Sequence, residues 1–505
     1  KTKMHMKMMR RFSSLPLLPF RRFSSTISQS GELKSHYDVT IVGGGIVGLT
    51  VAKLLHERCP HYSCAVLDSG GISSPSNHPS NTGSTIQNIP HPRSYALSPQ
   101  SWKLLGSDIA TTVPQGMYTS MQIWEAKSPA MLVFSMDDID PAIDAKYLGS
   151  CVEDFALAKA LLEALKQSEN VTIHSPANLE TFLVPEPHGP VQVSMRSKNP
   201  NTSPHDKTLM EEHVSTFTTN LLIAADGSSS SIRNRLGIAW NGIDYGRTAM
   251  TCAVELDTSK LSHPKRAYQR FLRHGPIALL PTYSDSHGVI VWSTTPDHAA
   301  QLKSMNSEQI IQTLNDTLQQ GPQRLDQLSS SSSSSSVLYG LERVLDTIHY
   351  GLGMRHWSDD NSTFAVPPLV KSIASSRLTF PLSCKLASQL THSNHRIALV
   401  GDAAHTVHPL AGQGLNLGLE DAKELIRAIQ KSHDAGMADA SMFLAEYEHN
   451  RKAELSLKMA GIHGLHTVFE MQSPLAKHGK SMGMSFLNSV KSCRSPLIQM
   501  ATGLS

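Results

Sequence analysis

Residues Asp38–Val42 form a short β-branched run that feeds Gly43-Gly44-Gly45-Ile46-Val47-Gly48, and no other stretch constrains the chain so tightly. Gly43, Gly45 and Gly48 satisfy the spacing GxGxxG, and Val47, Val51, Leu54 and Leu55 then share one face at helical spacing. A second apolar run, Cys64–Leu67, ends at Asp68, about twenty residues past Gly48. Strand, glycine turn, helix, strand and acid in this order make a βαβ unit that opens a doubly wound α/β domain. In such a unit Gly43 permits the tight turn, Gly45 lets a pyrophosphate approach the backbone, and Gly48 lets helix and strand pack closely. The helix N-terminus supplies N–H donors for phosphate, and Asp68 is placed to accept from ribose hydroxyls.

Two more strand-like runs end in aspartate: Leu221–Ala225 before Asp226, and Ile397–Val400 before Gly401-Asp402. Asp226-Gly227 with Ser230 and Arg233 matches the DGxxSxxR element of flavoprotein hydroxylases. Gly401-Asp402-Ala403-Ala404-His405 matches a second flavin element, whose aspartate holds a ribityl chain. Alone, each reads equally as a turn, because Asp-Gly is a common turn dipeptide. All three in this order point to FAD. Beyond Asp402, the run His408-Pro409-Leu410-Ala411-Gly412-Gln413-Gly414-Leu415-Asn416 is a glycine-rich turn entering a helix through Leu419, Ala422 and Ile426. Its N–H groups and dipole suit the N1–C2=O edge of a reduced flavin. The flavin-positioning candidates are Pro409 and Gln413, and no general base is evident. A metal site on His405 and His408 lacks a completing cysteine or carboxylate, so the histidines are expected to pack around the flavin.

Alternating patterns at Met250–Leu256 and Val289–Ser293 predict antiparallel sheet. The expected organisation is a discontinuous FAD domain (37–115, 150–238 and 378–452), an inserted substrate domain (116–149 and 239–377) and a helical tail (453–505). Ser329–Ser336 is an unbroken serine run that cannot bury apolar surface. No run of about eighteen apolar residues marks a transmembrane helix. Six cysteines without CxxC spacing read as free thiols.

Charge is unevenly spread. The first thirty residues hold Lys1, Lys3, Lys7, Arg10, Arg11, Arg21 and Arg22 and no acid; without those seven the net charge of +3 becomes −4. A mildly acidic body argues against a nucleic-acid partner. The basic, serine-rich leader, residues 1–36, reads as a mitochondrial transit peptide with a cut near Phe23–Ser24, although a disordered basic tail shares that composition. The tail from Met459 to Gln499 is basic and Met-containing, and reads equally as an anionic-surface dock or a solvated helix.

Longer segments carry a more specific likeness: Arg93–Pro99, Met121–Ala126, Asp244–Ala249, Gln269–Pro281, Val291–Ala300 and Gly401–Leu419. With these the chain resembles the mitochondrial ubiquinone-biosynthesis branch of the flavin monooxygenases, related to bacterial UbiH-type hydroxylases. The segment Val337–Pro368 departs most from that pattern. The resemblance implies a Rossmann-like FAD domain of the p-hydroxybenzoate-hydroxylase type, with Arg93 near the flavin or its pyrophosphate, and Pro409 and the Gly412–Asn416 backbone flanking the ring. It implies hydroxylation by O2, through a flavin C4a-hydroperoxide, of a polyprenylated 4-hydroxybenzoate-type ring. Electrons are expected from ferredoxin and its reductase or from NAD(P)H. Other ubiquinone-pathway enzymes and peripheral contact with the matrix face of the mitochondrial inner membrane are expected too. Competing readings are a prenyl-lipid reductase and a non-catalytic prenyl-lipid carrier; retention of Asp68, Asp226 and Asp402 speaks against the carrier.

Overall fold

The computed structural model describes residues 33–70, 89–126, 128, 131–140, 145–184, 189–198, 212–259, 265–323, 364–392, 394, 396–407, 412–471, 473–490, 494–495 and 498. The basic leader up to residue 32, the serine run and His408–Ala411, Pro409 among them, lie outside these.

The first strand, β1 (His36–Val42), is buried almost throughout, with Val39, Thr40 and Ile41 at 0 % exposure. A strand covered on both faces belongs at the centre of a parallel sheet. β1 pairs in parallel with β2 (Cys64–Leu67) on one side and with the end of β4 (Glu212–Ala224) on the other. β2 pairs in turn with β3 (Val171–His174), and β4 with β5 (Ile397–Leu399). The resulting order, β3-β2-β1-β4-β5, is that of a nucleotide-binding α/β sheet. The first half of β4 runs on into an antiparallel meander with Val191–Lys198 and Ala177–Leu183.

Helix α1 (Ile46–Arg58) follows the glycine turn and packs between helix Asp154–Leu165 and α2 (Gln413–Asp434). The glycines make this possible. Gly43 has φ +113°, and a Cβ on it would lie 2.2 Å from the Ala225 carbonyl oxygen; a Cβ on Gly48 would lie 2.0 Å from the Gly43 carbonyl oxygen.

The second sheet lays Leu378–Ala387, Trp240–Leu256, His287–Thr294, Gly275–Pro281, Arg266–Leu272, Ser120–Glu125 and Met131–Ser135 side by side. One face carries Trp124, Met250, Val254, Tyr268, Ile277, Ile290 and Trp292. It packs under Leu302, Ile310, Leu314 and Leu318 of helices Pro296–Ser304 and Ser307–Gln319. Arg270 is buried there and bonds Thr317 O and Gln320 Oε1, a cation at the negative end of helix Ser307–Gln319. Alternation turns Ala249, Thr251, Ala253, Gln269, Ala278, Val291 and Ser293 to the other face. Thr251 Oγ1 donates to Pro92 O at 2.9 Å, tying that face to the nucleotide half.

Two expected boundaries move. Leu378–Ala387, assigned by sequence to the FAD domain, pairs with Trp240–Thr251 in the second sheet, because its extended run continues the ladder past residue 377. Gly116–Tyr118, assigned to the substrate domain, joins Gly149–Glu153 and Ser94–Leu97 in a small separate sheet.

Helix α3 (Leu444–Glu470) buries Leu444, Tyr447, Arg451 and Leu455, packs along α2, and then leaves it for the second sheet. There His466 lies against Tyr245 with ring centroids 4.3 Å apart, and Phe469 stacks on Phe271 at 3.7 Å. Helix α4 (Pro474–Ser489) covers strand Met131–Ser135, with Lys480 paired to the buried Glu125. At about 1.5 Å per residue α3 is roughly 40 Å long, enough to strap the two halves together.

The Gly48 contact sets a stability test. An alanine in a helix ordinarily gains about 1 kcal/mol over glycine. At Gly48 the methyl would strike backbone, so Gly48→Ala is expected to destabilise the protein by about 2–3 kcal/mol, read as a lowered thermal midpoint.

Candidate functional site

Register brings the separated motifs to one edge. Val42 pairs with Leu67 and with Ala224, and Ala224 pairs with Leu399, so four parallel strands end level. Gly43, Asp68, Asp226 and Asp402 therefore emerge along one line, the carboxyl edge where open α/β sheets bind ligands. Val47 joins the outer motifs: a Cβ on Gly401 would lie 3.2 Å from its side chain, and one on Gly418 would lie 2.8 Å away.

Two helices point N-termini into this cleft, and both start on glycine with no side-chain cap. Gly45 precedes α1, and Gly412, at φ +61°, precedes α2. Their first N–H groups have no carbonyl of their own helix to bond. A Cβ on Gly45 would have nothing within 4 Å, so open space lies beside the α1 terminus. A Cβ on Gly412 would meet Ala96 at 2.9 Å, which presses the start of α2 against strand Ser94–Leu97. A dinucleotide fits this donor set: an open phosphate cradle at one helix start, a second set of N–H donors at the other, and acids between them.

Asp68 is 6 % exposed, and its Oδ2 accepts from Gly70 N–H (2.9 Å) and Ser175 Oγ (3.0 Å). Asp226 Oδ2 accepts from Ser231 N–H at 2.7 Å at the start of the short helix Ser231–Arg235, while its Oδ1 is buried with no partner among the described residues. Ser230 Oγ accepts from Arg233 N–H, and Arg233, 2 % exposed, donates to Ala403 O and Ser228 O at 3.0 Å each. That guanidinium lies 4.0 Å from the Trp240 ring. The DGxxSxxR element thus braces the Asp402 turn.

Asp402 is hemmed in by protein yet its side chain opens to solvent, as expected on a cleft floor. The surrounding protein raises its carboxyl above the usual range; Asp421 adds to the rise, and His405 opposes it.

Two sequence candidates have side chains bound to the protein itself. The Arg93 side chain is 63 % exposed and lies 3.5 Å from Asp154. The Asn416 side chain is fully engaged with the chain: Oδ1 accepts from Ser98 N–H and Ser101 Oγ, and Nδ2 donates to Ala96 O and Gly412 O. It fixes the start of α2, which leaves backbone as its means of meeting a ligand. Gln413, Gly414 and Leu415 occupy the first turn of α2. Sequence reasoning missed Asp421 and Arg451, both at 0 % exposure behind the Asp402 turn. The available signal was an acid inside an apolar stripe, Leu417-x-x-x-Asp421-x-x-x-Leu425.

A family model described as FAD binding domain matches residues 159–337 and 365–457, over half of the chain. The mitochondrial ubiquinone biosynthesis monooxygenase COQ6 of Drosophila melanogaster is 29 % identical over 488 residues, covering 95 % of this chain and 92 % of that protein. COQ6 of Homo sapiens is 29 % identical over 500 residues, covering 96 % of each. Among solved structures, p-nitrophenol 4-monooxygenase PnpA from Pseudomonas putida DLL-E4 superposes with a TM-score of 0.64 at 16 % identity, covering 93 % of this chain and 99 % of that one. PqsL, a probable FAD-dependent monooxygenase from Pseudomonas aeruginosa, gives 0.59 at 17 % identity, covering 88 % and 99 %. At such identities the likeness speaks to the fold.

Two substitutions separate cofactor binding from stability. Gly45→Ala is expected to leave the thermal midpoint of the cofactor-free protein unchanged and to weaken FAD binding about tenfold or more in a fluorescence titration. An unchanged affinity would move the phosphate cradle elsewhere. For Asp402→Asn, the raised carboxyl means that ionisation opposes folding. Apo stability from this group is greatest below the unfolded pKa of about 3.9 and declines as pH rises through the folded value. The variant should therefore unfold at a higher temperature than wild type at pH 8, lose that advantage near pH 3.5, and bind FAD more weakly.

Proposed function

The chain belongs to the FAD-binding-domain flavoprotein family, and from that premise we propose an FAD-dependent monooxygenase that hydroxylates the ring of a polyprenylated 4-hydroxybenzoate-type intermediate in ubiquinone biosynthesis. The observation that carries this reading is the convergence of four strand ends and two glycine-started helix termini on one cleft.

Bound and reduced, FAD supplies activation of O2 and delivery of one oxygen atom to an electron-rich ring. The chain does the rest. Gly45 and the first N–H groups of α1 hold pyrophosphate; Asp68 accepts from ribose, and Asp402 from the ribityl chain. Gln413, Gly414 and Leu415 aim N–H donors, with the positive end of α2, at the ring, where they favour negative charge. Ala249, Thr251, Ala278, Val291 and Ser293 wall the facing side with small, mostly buried groups and exclude water from it. The family resemblance favours electrons from a ferredoxin and its reductase, with transiently bound NAD(P)H as the other source.

The polyprenyl tail of such a substrate lies in a bilayer, and α3 offers a face toward one. Leu457, Leu465 and Val468 are exposed on it, Leu457 at 74 %, and Met471 just past its end and Phe486 of α4 are exposed too. Among the described residues no helix is long and apolar enough to cross a membrane. Two of the tail's cations are neutralised internally, Lys480 by Glu125 and Arg494 by Asp138, so contact rests more on the apolar face than on charge. We place the protein peripherally on the matrix face of the inner membrane, beside other enzymes of the pathway.

The test is anaerobic reduction of the FAD-loaded protein, followed by O2 and a short-tailed 4-hydroxybenzoate analogue. A product heavier by one oxygen atom is expected; flavin reoxidation without oxygenated product, with ferredoxin supplying electrons, would favour a prenyl-lipid reductase. Membrane contact is tested by flotation with cardiolipin-containing vesicles. Leu457→Glu with Leu465→Glu should abolish flotation and leave turnover of the short-tailed analogue intact; undiminished flotation would sink the α3 contact.

A further inference from the structure

One buried carboxylate holds three elements together behind the cleft. Asp421, on α2, accepts through Oδ2 from Gly401 N–H at 2.8 Å and faces His405 Nε2 at 2.6 Å. Through Oδ1 it accepts from Arg451 Nε of α3 at 2.8 Å. Arg451 also donates to Leu417 O at 3.1 Å and pairs with Glu454, and neighbouring Tyr447 donates to Leu399 O at 2.7 Å. Asp421 and Arg451 are 0 % exposed, and His405 is 1 % exposed.

This arrangement is directional. Both groups on Oδ2 belong to the turn that carries Asp402, one before it and one after it, while the counter-charge sits on Oδ1. Gly401, at φ +58°, has no other acceptor for its N–H among the described residues, and a buried amide left unpaired is costly. His405 Nδ1 is buried without a partner among the described residues, so the bond of the imidazole to Asp421 orients it. Burial alone would push the Asp421 acid up. His405, Arg451 and the Gly401 N–H outweigh it and hold the carboxyl below the usual range, so it is an anion at neutral pH.

We propose that Asp421, with Arg451 as its counter-charge, is a positioning residue for the cofactor: through Gly401 and His405 it fixes the turn that presents Asp402 to the cleft. The inference rests on reading that cleft as the flavin site. None of these side chains needs to touch the flavin. The Asp421 charge is also felt at Asp402, where it raises the carboxyl, so the same residue sets both geometry and potential at the cleft floor.

The test uses the full-length protein and the variants Asp421→Asn, His405→Gln and Tyr447→Phe. Amide exchange across residues 401–405 without cofactor, FAD affinity and the flavin midpoint potential are measured on each. Asp421→Asn should speed exchange at the turn about tenfold, weaken FAD about tenfold and shift the potential. His405→Gln, which leaves the Asp421–Arg451 pair intact, should do the same to a smaller degree and keeps the test alive if the first variant fails to fold. Tyr447→Phe removes a hydrogen bond from the same buried knot; it should lower the thermal midpoint without changing FAD affinity. Wild-type exchange and FAD affinity in Asp421→Asn would overturn the proposal, as would equal weakening of FAD by Tyr447→Phe. Wild-type protein that holds no FAD would instead overturn the flavin reading, while the exchange data would still decide whether Asp421 fixes the turn.

Discussion

Close approach of backbone to backbone at Gly43 and Gly48 is the constraint on which the nucleotide half depends. Any Cβ at these positions would enter the Ala225 carbonyl or the Gly43 carbonyl. Because neither carries one, α1 seats directly on the end of β1, and β1 lies level with β4. Val47 then reaches Gly401 and Gly418, and α2 is drawn against α1. The assembly of three motifs separated by hundreds of residues is thus a packing consequence of two missing side chains.

The second sheet solves a different problem. Its covered face uses large side chains such as Trp124 and Trp292 under two helices, a conventional core. The opposite face carries Ala, Thr, Ser and Val with Gln269 among them, and its Thr251 is bonded across to Pro92. α3 fixes the relative placement of the two halves by belonging to both. Its first turns carry Arg451 into the knot behind Asp402, and its last turns carry Phe469 onto Phe271.

What the sequence disclosed follows from the range of the forces involved. The βαβ unit, the aspartates at strand ends and the start of α2 are local patterns, each encoded within about ten residues, and each was legible. Where strands pair is not local. Leu378–Ala387 carries Pro381 and Lys385 and gave no sign of continuing the second sheet, since its partner, Trp240–Leu256, lies more than a hundred residues away. The tail showed scattered cations without a pattern because two of them serve buried acids, Glu125 and Asp138, that only the fold brings near. The Asn416 side chain is an internal bracket between α2 and Ser98. Chemical type alone cannot separate an amide that binds a ligand from one that binds its own backbone.

The buried ions and the open helix ends are two sides of one design. A buried salt bridge contributes little net stability, because desolvation offsets most of its Coulomb gain. The Asp421–Arg451 pair is therefore better understood through what it orients than through what it stabilises. The glycine-started termini of α1 and α2 are likewise poor in isolation: a Ser or Asp cap is ordinarily worth about 1 kcal/mol, and neither helix has one. Both choices leave donors aimed at the cleft and a rigid frame behind it. A bound dinucleotide would satisfy those donors, and its binding energy would return to the fold as stability through mass action. On this account the cofactor-free fold is incomplete at one edge by construction, and the residues that look least favourable there, Gly45, Gly412 and the raised acid Asp402, are the ones a ligand completes.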